Sequence, residues 1–132
     1  MKYGLLILLF TCILACKKSK NKPVYDWKTI EVTATAYNSL AYQTSDNPHI
    51  TAFGDSLKPG MKYIAVSRDL LALGLKHNTP VAVEGMEGLY LVKDKMHWRW
   101  KKRIDIYMGE DVKAAREWGR KKLIITYGVE ID

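Results

Sequence analysis

From Thr29 to Tyr37 the chain alternates without a break. Ile30, Val32, Ala34 and Ala36 fall on one side; Glu31, Thr33, Thr35 and Tyr37 fall on the other. A period of two is the mark of a strand with one buried face, and it excludes a helix over this stretch. Shorter runs of strand character follow at Lys62 to Val66, Pro80 to Val83, Gly88 to Asp94, Arg103 to Tyr107 and Leu123 to Tyr127. His49 to Gly54 reads as one more short extended piece. Between these runs the chain is punctuated: Asn38 to Pro48 is a polar loop and Lys58-Pro59-Gly60 a turn. Two segments read as helices instead. Ser67 to Gly74 has an N-cap serine, Asp69 in its first turn and a glycine stop. Gly109 to Gly119 places Val112, Ala115 and Trp118 on one face. Six short strands and two short helices within 132 residues predict one mainly β domain, a small six-stranded barrel.

Hydrophobic residues make up 48% of the chain, enough for a core. The net charge of +7 favours polyanions: nucleic acid, acidic lipid headgroups or an acidic wall polymer. Zinc-ligand spacing, an RRM core sequence and a basic helix are all missing, so nucleic acid has no motif to support it. The N-terminus narrows the choice. Lys2 precedes an apolar run from Leu5 to Ala15, which reads as a secretory signal. A transmembrane helix needs about 20 apolar residues, more than this run supplies. Ile13-Leu14-Ala15-Cys16 resembles a bacterial lipobox, which makes Cys16 the expected lipidated first residue. Cys12 then leaves with the signal, so no disulfide and no cysteine metal site is expected. Lys17 to Pro23 is polar and cationic and reads as a tether near anionic headgroups. The expected organisation is a signal peptide over 1–15, a lipidated tether over 16–27 and the barrel domain over 28–132.

The chemistry concentrates between Asp94 and Asp105, eleven positions apart. Trp98, Trp100, His97 and five Lys/Arg residues lie between them. Ile104 and Ile106 flank Asp105, so a carboxylate interrupts an apolar strand. That costs free energy unless the group is paired or used. Burial raises the pKa of such an aspartate; Arg103 and the nearby lysines lower it, and the sequence leaves the balance open. Asp94 stands at a strand end, where aspartate also serves as a plain turn residue. Trp98 and Trp100 suit either stacking on sugar faces or packing over a barrel end. His97 has no second metal ligand at suitable spacing, so neither metal nor cofactor is expected.

An ordered series of segments resembles the 3D (three-aspartate) domain. It runs through Val32-Thr33-Ala34-Thr35-Ala36-Tyr37, Thr51-Ala52-Phe53-Gly54, Tyr63-Ile64-Ala65-Val66, Leu73-Gly74 and Thr79-Pro80-Val81-Ala82-Val83. It continues with Asp94, Arg103-Ile104-Asp105-Ile106-Tyr107 and Trp118-Gly119-Arg120-Lys121, so the likeness spans roughly residues 30 to 127. The resemblance implies a double-psi β-barrel like that of membrane-bound lytic transglycosylases of the A type and the small muralytic proteins related to them. It implies cleavage of the β-1,4 bond between N-acetylmuramic acid and N-acetylglucosamine, leaving a 1,6-anhydromuramoyl end. Asp105 corresponds to the acid–base and Asp94 to its support. Thr35, Tyr37 and Thr51 match cleft positions, for which ordinary strand hydrogen bonding is the alternative. Trp98, Trp100 and Arg103 complete the expected substrate-binding set. Ser67 stands where the family has its first aspartate, and Lys95 to Trp98 replace small residues. The resulting expectation is a monomeric lipoprotein of the cell envelope, on the periplasmic side of the outer membrane because Lys17 follows the cysteine. Its partners are peptidoglycan glycan strands and, through the lipid, the membrane, with nucleic acid excluded. The alternative is a non-catalytic peptidoglycan-binding lipoprotein.

Overall fold

The computed structural model describes residues 21–39 and 49–131. The expected signal peptide over 1–15 and the expected lipidation site Cys16 lie outside these residues. Six strands and two short helices alternate along the chain: β1 (Val24–Tyr37), β2 (Tyr63–Val66), α1 (Arg68–Leu71), β3 (Pro80–Val83), β4 (Leu89–Lys95), β5 (Arg103–Tyr107), α2 (Val112–Trp118) and β6 (Lys121–Ile131). The strands close into a barrel in the order β1-β5-β2-β4-β3-β6. Two contacts are parallel, β1 with β5 and β2 with β4; the rest are antiparallel. Parallel neighbours need a chain that crosses the barrel end between them. Two such crossings in a six-stranded closed barrel make the double-psi architecture, as the resemblance implies.

Alternation explains the core. Val32 and Ala34 from β1, Ile64 and Val66 from β2, Val92 from β4 and Ile104 and Ile106 from β5 all point inward and are buried. Val81 and Val83 from β3 and Leu123 and Ile125 from β6 fill the remaining volume. The intervening residues face the other way, which is where Thr35, Tyr37, Arg103 and Asp105 sit.

Several boundaries differ from the sequence reading, each for a local reason. β1 starts at Val24, inside the stretch read as tether, because Val24–Ala34 pairs along its whole length with Lys121–Ile131 of β6. The piece around His49 to Gly54 is a turn rather than a strand: it holds one isolated bridge, Ile50 to Ser56. The first helix ends at Leu71, where the amides of Leu73 and Gly74 bond three residues back and tighten the turn. The second begins at Val112, because the Asp111 side chain accepts from the Ala114 amide at 2.9 Å and fixes the N-cap there.

Candidate active site

The barrel register places four outward residues in one row. β2 is sandwiched between β5 and β4, and Ala65 is the cross-strand partner of both Asp105 and Asp94. Asp105 is in turn the partner of Thr35 in β1. The row reads Thr35, Asp105, Ala65, Asp94. Two strand spacings separate the aspartate backbones, roughly 9–10 Å. Ala65, 5% exposed, is the smallest outward residue of its strand and leaves a floor between the carboxyls.

A β-bulge makes this alignment possible. Ile64 pairs with Val92, but the next residue, Ala65, pairs with Asp94. Lys93 is the extra residue on β4. Without it, Lys93 would stand opposite Ala65 and Asp94 would be displaced along the strand.

The two carboxyls are not equivalent. Burial pushes the Asp105 carboxyl from its ordinary 3.8 up to about 6, against the Thr35 hydroxyl and the Arg103 guanidinium; the Asp94 charge adds to the rise. Thr35 Oγ1 donates to Asp105 Oδ1 at 3.1 Å. The balance that the sequence left open thus falls to burial. Burial also raises Asp94, but the amides of Ala52 and Lys95 both donate to its Oδ1 at 2.8 Å and oppose that rise. Asp94 stays raised on balance, with the Asp55 charge adding to the rise; Asp105 is the group that exchanges a proton near pH 6, across Ala65 from a second carboxyl anchored by two amides. Tyr37 stands beside both: burial, then the charges of Asp94 and Asp105, raise its phenol. Its hydroxyl is buried without a partner among the described residues, and its ring lies 5.5 Å from Tyr107.

Arg103 sits two residues before Asp105 with its guanidinium 4.0 Å from the centre of the Trp100 ring; Arg99 lies over the same ring at 4.8 Å. Burial and the like charges of Arg120 and Arg99 lower the Arg103 pKa, while Asp105 supports its charge. Trp98 is 70% exposed, on the turn that the Trp100 amide closes onto the His97 carbonyl. The two tryptophans thus part company, one solvated and one stacked under arginines.

Thr51 does not line the row. Its hydroxyl accepts from the Asp55 amide at 3.0 Å inside the 51–55 turn. Ser67 does not cap α1 through its side chain. It is fully buried, and its Oγ accepts from the Arg103 amide at 3.0 Å, tying β2 to β5 next to Asp105. The sequence marks neither Ala52 nor Ala65, and shows Lys93 only as the start of a basic run to Arg103. The only signal for Ala65 was a small residue between Ile64 and Val66.

Among the described residues no cluster of three or more His, Cys, Asp or Glu side chains is arranged to hold a metal ion. A separate groove of about 330 Å³, lined by residues including Tyr25, Lys76, His77 and Glu130, shares no residue with the row.

No protein-family model matches the chain, and a search of curated proteins gave no match. Among solved structures the chain is similar to an apo expansin of Clavibacter michiganensis, with 22% identity over 80% of this chain and 51% of that one, at a TM-score of 0.45. A mutant of the Clavibacter michiganensis expansin in complex with cellohexaose gives 19% identity, the same coverage and a TM-score of 0.46. The chain spans about half the length of these solved neighbours.

Proposed function

We propose that this barrel is a 3D-type domain that cleaves peptidoglycan glycan strands by lytic transglycosylation, with Asp105 as the single acid–base. In this reading the chain is a lipoprotein of the cell envelope, anchored through Cys16. One observation carries the proposal: an outward aspartate, pushed up to about 6, lies in register with a second carboxylate across an alanine floor.

The protonated Asp105 donates to the glycosidic oxygen as the bond from C1 of the muramyl sugar breaks. A positioned acid of this kind contributes on the order of 10²–10⁴ in rate when its pKa lies near the working pH. The charge that develops at C1 is stabilised by the Asp94 carboxylate. The 6-hydroxyl of the same sugar then attacks C1, and Asp105 takes its proton. Atoms balance without water: one C1–O bond breaks, another forms, and the acid returns to its starting state. This departs from two-carboxylate glycosidases, where water or the enzyme supplies the nucleophile. Thr35 holds Asp105 in place through the hydrogen bond to its Oδ1.

The experiment is incubation of the purified protein with sacculi, followed by mass spectrometry of soluble products. The parent releases anhydro-muropeptides, and Asp105→Asn releases none with its fold intact. Undiminished digestion by that variant sinks the mechanism, and reducing-end products would make the enzyme a hydrolase. A second reading, binding of wall glycan without cleavage, is favoured by the solvated Trp98 ring, which suits a sugar face whether or not chemistry follows. Binding to sacculi with no soluble product supports it.

A further inference from the structure

Asp94 is held by a turn outside its own strand. The amide donated to it at 2.8 Å belongs to Ala52. That turn is closed internally: the Thr51 amide donates to the Asp55 carbonyl at 2.9 Å and the Gly54 amide to the Thr51 carbonyl at 2.9 Å. Buried Leu57 and Thr51 dock the segment on the barrel. Burial alone does not say where Ala52 points.

Direction comes from an ionic knot on Asp55. Its Oδ1 accepts from Lys93 Nζ at 3.2 Å, and its Oδ2 pairs with His77 Nε2 from the connection between α1 and β3. Burial pushes the Asp55 carboxyl up, but Lys93 and His77 together outweigh it and hold the group below its ordinary value. Phe53 in the turn stacks on the His77 ring at 4.9 Å, and the Lys95 ammonium lies 5.4 Å from the centre of the Phe53 ring. Lys93 is the bulge residue that brings Asp94 into line with Ala65. The same residue thus sets the register of Asp94 and grips the turn that hydrogen-bonds to it.

We propose that Asp55, His77 and Lys93 are positioning residues, a clamp that aims the Ala52 amide at Asp94 and fixes that carboxyl across Ala65 from Asp105. The clamp rests on the proposed function only for what Asp94 is held in place to do. The charged and titratable groups facing Asp94 are Asp55 and Lys95 on its own side, and Asp105 and Tyr37 across Ala65. Of these, Asp55 is a like charge, so the clamp must neutralise it as well as place it. Partly exposed ion pairs contribute little stability, whereas a small misplacement at a reacting centre can cost on the order of a hundredfold in rate.

The test is an NMR titration of the full folded domain that follows the Ala52 amide against pH. In the parent this proton moves with the ionisation of Asp94, because the carboxylate is its acceptor. His77→Ala and Asp55→Asn lose most of that movement, and His77→Gln, which keeps a donor, retains it. His77 is partly exposed, so its variants keep the fold if Asp55→Asn does not. With sacculi, His77→Ala lowers kcat by on the order of tenfold to a hundredfold with KM unchanged. An Ala52 amide that still titrates at parental amplitude in folded His77→Ala overturns the clamp. The titration needs no substrate: a parent protein without wall-cleaving activity refutes the enzymatic reading and leaves the clamp standing.

Discussion

Replacing Asp105 by asparagine should stabilise the protein, and only above the acid range. The carboxyl is raised from 3.8 to about 6 mainly by burial, so the folded state binds its proton more tightly than the unfolded chain does. Well below pH 3.8 both states carry the proton and Asp105 costs nothing. Between 3.8 and about 6 the folded state holds more protons than the unfolded one, so stability falls as pH rises. Above about 6 the full penalty is present. A rise of about two units corresponds to roughly 3 kcal/mol, an upper bound because the carboxyl is not fully enclosed. The asparagine side chain would keep an oxygen to accept the Thr35 hydroxyl while removing the charge. Urea unfolding of parent and variant at about pH 4 and pH 8 measures the effect. The variant should lead by only about 0.5 kcal/mol at the lower pH and by about 2–3 kcal/mol at the higher. An equal difference at both pH values, or a parent more stable than the variant under alkaline conditions, would refute the assignment of Asp105 as a buried, raised acid. A variant that gains stability while losing wall cleavage is the trade-off expected of a group kept for chemistry.

Two further substitutions test the frame around the site. Ser67→Ala removes the acceptor for the Arg103 amide and should lower stability by about 1–3 kcal/mol in thermal unfolding. A change within a few tenths would mean that water replaces the hydroxyl. Gly74→Ala meets two obstacles, a φ of +106° and a new Cβ 2.9 Å from Val129 Cγ2. It should destabilise by more than about 1 kcal/mol. Gly54→Ala, with φ +85° and open space around it, should cost less in the same melting experiment.

The strands were legible because their chemistry is local. Ile104-Asp105-Ile106 announces both an inward pair and an outward carboxylate, and the barrel places them so. The alternation from Thr29 to Tyr37 likewise marks Val32 and Ala34 as core. Pairing is not local. Nothing in the sequence near Asp94 tells that Lys93 bulges, yet that one residue decides which residue faces Ala65. Ser67 looked like a helix cap because serine before a helical turn usually is one; the amide of a strand 36 residues away claimed the hydroxyl instead. Thr51 looked like a cleft residue and serves its own turn. Val24 to Lys28 does not alternate cleanly, so its strand state appears only once β6 is beside it.

The site therefore depends on two layers of the sequence that fail in different ways. The inward residues Ile64, Val66, Ile104 and Ile106 hold β2 against β5, and losing one would cost stability across the barrel. The bulge and the 51–55 turn hold β4's carboxylate, and losing those would leave the core intact. Asp105 draws its raised pKa from burial first and from Asp94 last. It would keep most of its acidity shift even with Asp94 misplaced. What would be lost is the anionic partner across the alanine floor, and with it the difference between a buried acid and a pair of carboxyls with separate roles. The raised acid belongs to the barrel; the second carboxyl is held jointly by its own strand and by the turn, through the Lys95 and Ala52 amides, and the proposed mechanism needs both.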